Sequence, residues 1–174
     1  MSSFKKRVFV CGLDERSDYQ SQKISHIVSI TNPGAISSKP WWFKGVQLEL
    51  RFGDVVSEAD ARHLKTTAPR IDDIQRALHF FRNAWSDPTS RILVSCDYGA
   101  SRSPALAYVF IADQLSVGQE SEALRLLLDI RPNAVPNGMV VRLGDACLKR
   151  RGALIAPLKE LYAKINAELF PRGG

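Results

Sequence analysis

Cysteine, histidine and long apolar runs are all scarce in this chain. Its three cysteines, Cys11, Cys96 and Cys147, are odd in number, widely spaced and without a CxxC pair. That usage speaks against a disulfide framework and against a zinc site, and it leads us to expect the reducing cytoplasm. The three histidines, His26, His63 and His79, lie far apart without metal-ligand spacing, so neither a metal nor another cofactor is expected. The longest unbroken apolar stretch, Ala105–Ala112, falls well short of the ~20 residues that span a bilayer. A basic start, Met1–Arg7, leads into an apolar run, Val8–Leu13, that is too short for the core of a secretion signal. Internal repeats, low-complexity tracts and Gly/Ser-rich linkers are absent too. The 174 residues suit one domain, acting as a monomer, with its core at about 7–169 and a loose tail at 170–174.

Charge, by contrast, is in excess with one sign. The formal net charge is +6, and the surplus of Lys and Arg lies toward the two ends of the chain. Such a field favours anionic partners. No basic cluster is dense and no base-stacking motif accompanies it, so nucleic acid is not the expected partner.

Four short apolar runs rich in Val, Ile, Leu and Phe, at 7–13, 26–30, 46–52 and 91–96, predict core strands. Between the third and fourth, Ile71, Ile74, Leu78, Phe81 and Trp85 recur at three- and four-residue steps, which predicts an amphipathic helix over 71–85, opened by Pro69. The stretch 104–115 is apolar all round and predicts a helix buried within the domain. Further helices are predicted at about 120–130, 137–150 and 157–169, with Asn137 as an N-cap. Trp41 and Trp42, just before the third strand, read as packing residues.

Chemistry concentrates in Ile92-Leu93-Val94-Ser95-Cys96-Asp97-Tyr98-Gly99-Ala100-Ser101-Arg102-Ser103-Pro104, a strand, a short polar loop and a helix opened by proline. When a buried strand feeds a loop that turns straight into a helix, successive backbone N–H groups can point into the hollow of the loop. The helix N-terminus adds its partial positive charge. The hollow walled by Asp97, Tyr98, Gly99, Ala100 and Ser101 is thus an expected anion site. Gly99 permits the curl, and Pro104 is expected at the first helical position. Cys96, projecting into that hollow, is favoured as thiolate and so as a nucleophile. The planar fork of Arg102 suits two phosphoryl oxygens at once. The Ser103 hydroxyl can hydrogen-bond the sulfur and stabilise it as a leaving group.

The segment Cys96–Ser103 resembles the active-site loop of the protein-tyrosine phosphatase superfamily, Cys-x5-Arg-Ser. Arg131-Pro132-Asn133-Ala134-Val135-Pro136-Asn137 resembles a segment found downstream in bacterial relatives of its compact, dual-specificity-like branch. Over about residues 7–153 the resemblance implies an α/β fold with a central, mostly parallel sheet of four or five strands flanked by helices. It also implies metal-free hydrolysis of phosphorylated protein or small aryl phosphates through a phosphocysteine. The family's general-acid aspartate lies past the preceding strand. Asp54 holds that place here, with Asp60 and Glu58 as alternatives. One departure is Ser95, where the family carries histidine, which implies a less acidic thiol. A second is Asp97, whose charge opposes multiply phosphorylated inositides. The competing readings are a phosphate-binding pseudophosphatase of the same fold and another thiol enzyme, such as an arsenate reductase or a sulfurtransferase.

Overall fold

The computed structural model describes residues 3–36 and 39–170; of the expected tail, only Phe170 lies within them. Four strands, β1 (Val8–Gly12), β2 (His26–Thr31), β3 (Val46–Arg51) and β4 (Ile92–Cys96), form one sheet in the order β1-β4-β2-β3. Every neighbouring pair is parallel. β4 sits between β1 and β2 and is buried along its whole length, which is why it reads as an uninterrupted apolar run rather than an alternation.

Side chains along each strand alternate between two cores. Val8 and Val10 of β1, Val28 and Ile30 of β2, and Ile92, Val94 and Cys96 of β4 face a large core shared with the main helices. Cys11, Ile27 and Leu93 face a smaller one. The small core is closed by Ile24, Phe43, Tyr19 and Trp42, carried by a 3-10 helix (Arg16–Gln22) and the segments around it. Trp42 therefore packs as expected, whereas Trp41 is 86% exposed, and its packing role is corrected.

The helices are α1 (Ser3–Arg7), α2 (Glu58–His63), α3 (Ile71–Ser86), α4 (Arg102–Gln114), α5 (Glu120–Ile130), α6 (Gly138–Cys147) and α7 (Ile155–Leu169). The amphipathic α3 buries Ile74, Ala77, Leu78, Phe81 and Ala84. Its N-cap is Arg70, so Pro69 precedes the cap instead of opening the helix. α4 is buried continuously from Arg102 to Ala112 and packs against α3, α5, α6 and β4. It starts two residues earlier than the proline suggested, placing Pro104 third in the helix. That position costs nothing, because none of the first four helical N–H groups has an intrahelical acceptor. Three short elements escaped the sequence pattern. α1 docks through Phe4, whose ring stacks on Trp85 at 4.9 Å. The polar 3-10 helix carries no helical apolar stripe. α2 is a single turn begun by Ser57, whose hydroxyl accepts from the Asp60 amide.

α4 and α6 meet at a glycine. A Cβ on Gly144 would lie 2.3 Å from Cγ2 and 2.6 Å from Cγ1 of Val109, a fully buried, β-branched side chain that has no free rotamer to escape into. Gly144→Ala is expected to destabilise the protein by about 1–3 kcal/mol through overpacking, read as a lower urea midpoint. A midpoint at or above that of the parent would show that the two helices separate freely.

Candidate active site

Parallel sheets present the carboxyl ends of their strands on one edge, and a ligand crevice forms there where the strand order switches. Each strand here delivers something to that edge. Glu15 follows β1, Asn32 follows β2 directly, Asp54 lies just past β3, and Cys96 ends β4.

The loop from Cys96 to Arg102 is held from outside, carbonyl by carbonyl. The Asp97 carbonyl accepts from the Leu13 amide (3.2 Å), and the Tyr98 carbonyl from Arg131 Nη2 (3.2 Å). The Gly99 carbonyl accepts from Arg131 Nε (3.1 Å), and the Ala100 carbonyl from the Val135 amide (2.8 Å). The Ser101 carbonyl accepts from the amides of Asn137 (3.1 Å) and Ala105 (3.0 Å). In a trans peptide unit the N–H points opposite to the C=O. Five carbonyls turned outward therefore turn the N–H groups of residues 98–102 toward the hollow, in front of Cys96. Such a run of amides is an anion cradle, and the first turn of α4 closes it.

Gly99 makes the curl possible. Its φ is +66°, and a Cβ there would lie 2.4 Å from the Cys11 carbonyl carbon and 2.5 Å from the Gly12 nitrogen. No side chain fits between the loop and β1. Arg131 in turn is oriented by Glu15, whose carboxylate meets it at 2.9 and 3.0 Å and accepts from the Gly12 amide at 2.8 Å. The Arg131 hydrogen bond, followed by that amide, holds Glu15 below the usual carboxylate range.

Within the hollow, Cys96 is buried, and its Sγ accepts from the Ser103 hydroxyl at 3.1 Å. Arg102 is buried as well. Its Nη1 donates to Asn32 Oδ1 and to the Phe52 carbonyl, both at 2.9 Å. Its Nη2 meets Asp97 Oδ2 at 2.8 Å. Its Nε has no hydrogen-bond partner among the described residues and lies 3.9 Å from Asp54 Oδ2. A buried guanidinium N–H without an acceptor is costly, and a phosphoryl oxygen in the cradle would supply one.

Of the three candidate acids, Asp54 is the one tied to the loop. Its Oδ1 accepts from the Ser101 hydroxyl and from Asn137 Nδ2, each at 2.8 Å. Asp60 is bound up with the start of α2, its carboxylate accepting from the Ser57 hydroxyl at 2.7 Å. Glu58 is exposed on the same turn. Asn137 caps α6 as expected, accepting from the amides of Met139 and Val140, and in addition steadies Asp54. Tyr98 stands out from the rim, 83% exposed.

Ser95 points away from Cys96, toward the small core. Its hydroxyl accepts from Arg16 Nε (3.1 Å) and Nη2 (2.8 Å), and Arg16 also donates to Ser29, the register partner of Ser95 across β2 and β4. A buried guanidinium, rather than an imidazole, thus backs the strand end. Arg16, Glu15, Asn32 and Arg131 were not foreseen as site residues. Their signal is positional: three lie just past parallel strands, and the fourth opens the segment 131–137. Among the described residues no three or more His, Cys, Asp or Glu side chains converge as a metal site needs.

No protein-family model matches the chain, and no curated protein matches its sequence. Solved structures match its shape. DUSP15 aligns with a TM-score of 0.61 at 19% identity, over 88% of this chain and 90% of that one. The Yvh1 phosphatase domain from Chaetomium thermophilum gives 0.60 at 18%, over 84% and 93%. The human tyrosine phosphatase-like serine/threonine/tyrosine-interacting protein gives 0.59 at 16%, over 86% and 93%. The chain shares the fold of these solved structures, a parallel sheet flanked by helices.

Arg131→Met frees two loop carbonyls and is expected to weaken tungstate binding by about tenfold, the worth of one or two charge-assisted hydrogen bonds. Gly99→Ala should weaken it further. Calorimetric titration checks both, and unchanged affinities would show that the loop keeps its curl unaided. Glu15 titrates lower when folded than unfolded. The support it gives the loop should therefore be complete above the ordinary glutamate value of about 4.3 and lost as pH falls through the folded one.

Proposed function

We propose that this chain is a cysteine-dependent phosphomonoester hydrolase of the tyrosine/dual-specificity type, acting through a phosphocysteine. The observation that carries the reading is the amide cradle in front of Cys96, walled by Asp97–Ser101 and completed by an Arg102 Nε that lacks an acceptor among the described residues. The phosphatase folds of DUSP15 and Yvh1 support the class.

The reaction runs in two displacements. The Cys96 thiolate attacks phosphorus while Asp54 protonates the departing oxygen, yielding the alcohol or phenol and a phosphocysteine. Because two donors already engage Asp54 Oδ1, the transferable proton belongs on Oδ2. Asp54 then takes a proton from water as the water attacks phosphorus. The thiolate leaves, stabilised by the Ser103 hydroxyl, and inorganic phosphate is released. Through both steps the amides of residues 98–102 and the Arg102 fork follow the equatorial oxygens. This reading treats residues 1–174 as one phosphatase domain, a cytoplasmic monomer without cofactor, acting on phosphorylated protein or small aryl phosphates.

A second reading, a phosphate-binding pseudophosphatase, is favoured by one contact, that of Asp97 with the clamp arginine. The two readings separate on turnover. Hydrolysis of phenyl phosphate should persist in chelator, vanish in Cys96→Ser and leave a trapped phosphocysteine on rapid acid quench. Asp54→Asn should slow phosphotyrosine turnover about 10²–10⁴-fold, and should affect an activated aryl ester far less where phosphoenzyme formation limits the rate. Activity that survives Cys96→Ser removes the enzyme reading. An intact Asp54→Asn beside an inactive Asp60→Asn would move the acid to Asp60.

A further inference from the structure

Arg102 can offer a phosphoryl group only part of its guanidinium. Both Nη1 hydrogens are engaged, by Asn32 Oδ1 and the Phe52 carbonyl. The remaining edge, Nε with Nη2, is the one whose parallel donors fit two oxygens of a tetrahedral anion. On that edge Nε lacks an acceptor among the described residues, while Nη2, with two hydrogens to offer, already meets Asp97 Oδ2 at 2.8 Å. The same Asp97 oxygen accepts from Asn32 Nδ2 at 2.9 Å, so Asn32 fixes the carboxylate and the guanidinium against each other. Asp54 stands on the other side of the fork, 3.9 Å from Nε. One buried cation is thus flanked by two carboxylates.

We propose that Asp97 is a specificity-determining residue. It competes with the phosphoryl group for Arg102 and steers the site toward phosphomonoesters that carry a cationic group beside the phosphate. The inference rests on the phosphatase reading above. A phosphoryl oxygen that reaches Nη2 meets a carboxylate already bound to the same nitrogen. That carboxylate divides the nitrogen's positive charge and repels the incoming dianion. Its side chain is 28% exposed against 3% for Arg102, so it borders both the pocket and the solvent. A lysine or arginine next to the phosphorylated residue would neutralise it, relieving the repulsion and leaving the fork to the phosphate. Further anions near the phosphate, as on a multiply phosphorylated ring, would add to the repulsion.

Two measurements test this. Calorimetry with inorganic tungstate reads the clamp without turnover, and Asp97→Asn and Asp97→Ala should each bind it about tenfold more tightly than the parent, the worth of one hydrogen bond to a charged group. Steady-state kinetics on phosphotyrosine peptides flanked by lysine or by glutamate read the steering. The parent should prefer the lysine-flanked peptide by about tenfold in kcat/KM, the preference should shrink with added salt, and both variants should narrow it toward unity. A purely structural Asp97 would leave the peptide ranking and its salt dependence in place; that result, or unchanged tungstate affinity in both variants, overturns the proposal. Tungstate binding without turnover in the parent overturns the catalytic reading alone, and the calorimetric arm still judges Asp97. Absence of tungstate binding in every protein overturns the site reading and this inference with it.

Discussion

The outward pull on five consecutive carbonyls, from Asp97 to Ser101, is the constraint on which the rest of the site depends. A free loop of this composition would turn some carbonyls inward, and an inward carbonyl repels an anion as strongly as an inward amide attracts it. Here Leu13, Arg131, Val135 and Asn137 supply acceptor-seeking groups on the outer side, so each peptide plane has one orientation left. The positive face of the loop is therefore a consequence of what surrounds it. The cradle carries no lysine and has one arginine at its edge, yet it presents a row of partial positive charges where Cys96 Sγ lies.

The sheet explains why these groups converge. Parallel strands put four loop starts on one edge, and the insertion of β4 between β1 and β2 brings residues far apart in the chain to within hydrogen-bond reach of one another. Asn32 and Arg102 touch across seventy residues, and Asn137 reaches Asp54 across eighty-three. α4 turns this edge into a rigid one. Buried on all sides from Arg102 to Ala112, it fixes Arg102 and Ser103 at its first turn, so the guanidinium and the donor to the Cys96 sulfur inherit the rigidity of the core.

Where the sequence was legible, a single local pattern carried the information. The four strands and the five longer helices announce themselves by apolar runs or by three- and four-residue periodicity, and Cys96, Arg102 and Ser103 lie within one short motif. The short elements were silent because they are made by tertiary contact. α1 is held by Phe4 on Trp85, and the 3-10 helix by the burial of Arg16. The outer half of the site was silent for a related reason: Glu15, Asn32 and Arg131 are ordinary polar residues in ordinary loops, and only the strand order gives them a common neighbour. Asp54 could be ranked above Asp60 by position but not separated from it. Their contacts differ in the fold: the Ser101 hydroxyl ties Asp54 to the loop, while the Ser57 hydroxyl holds Asp60 at the head of α2. Ser95 was legible as a departure, but its partner was not, since nothing local links it to Arg16.

The dependence of the loop on residues 131–137 sets an order of events during synthesis. A chain extended only as far as α5 already contains Cys96, Arg102 and Ser103, but four of the five outward carbonyls still lack a donor from 131–137. Until that later segment docks, the thiol sits on an unformed loop, without the row of amides that would sharpen its reactivity. A domain folds as a unit, so Cys96 meets the formed loop only once residues 131–137 are in place. The packing of α6 onto α4 that completes the core also brings the Asn137 amide to the Ser101 carbonyl.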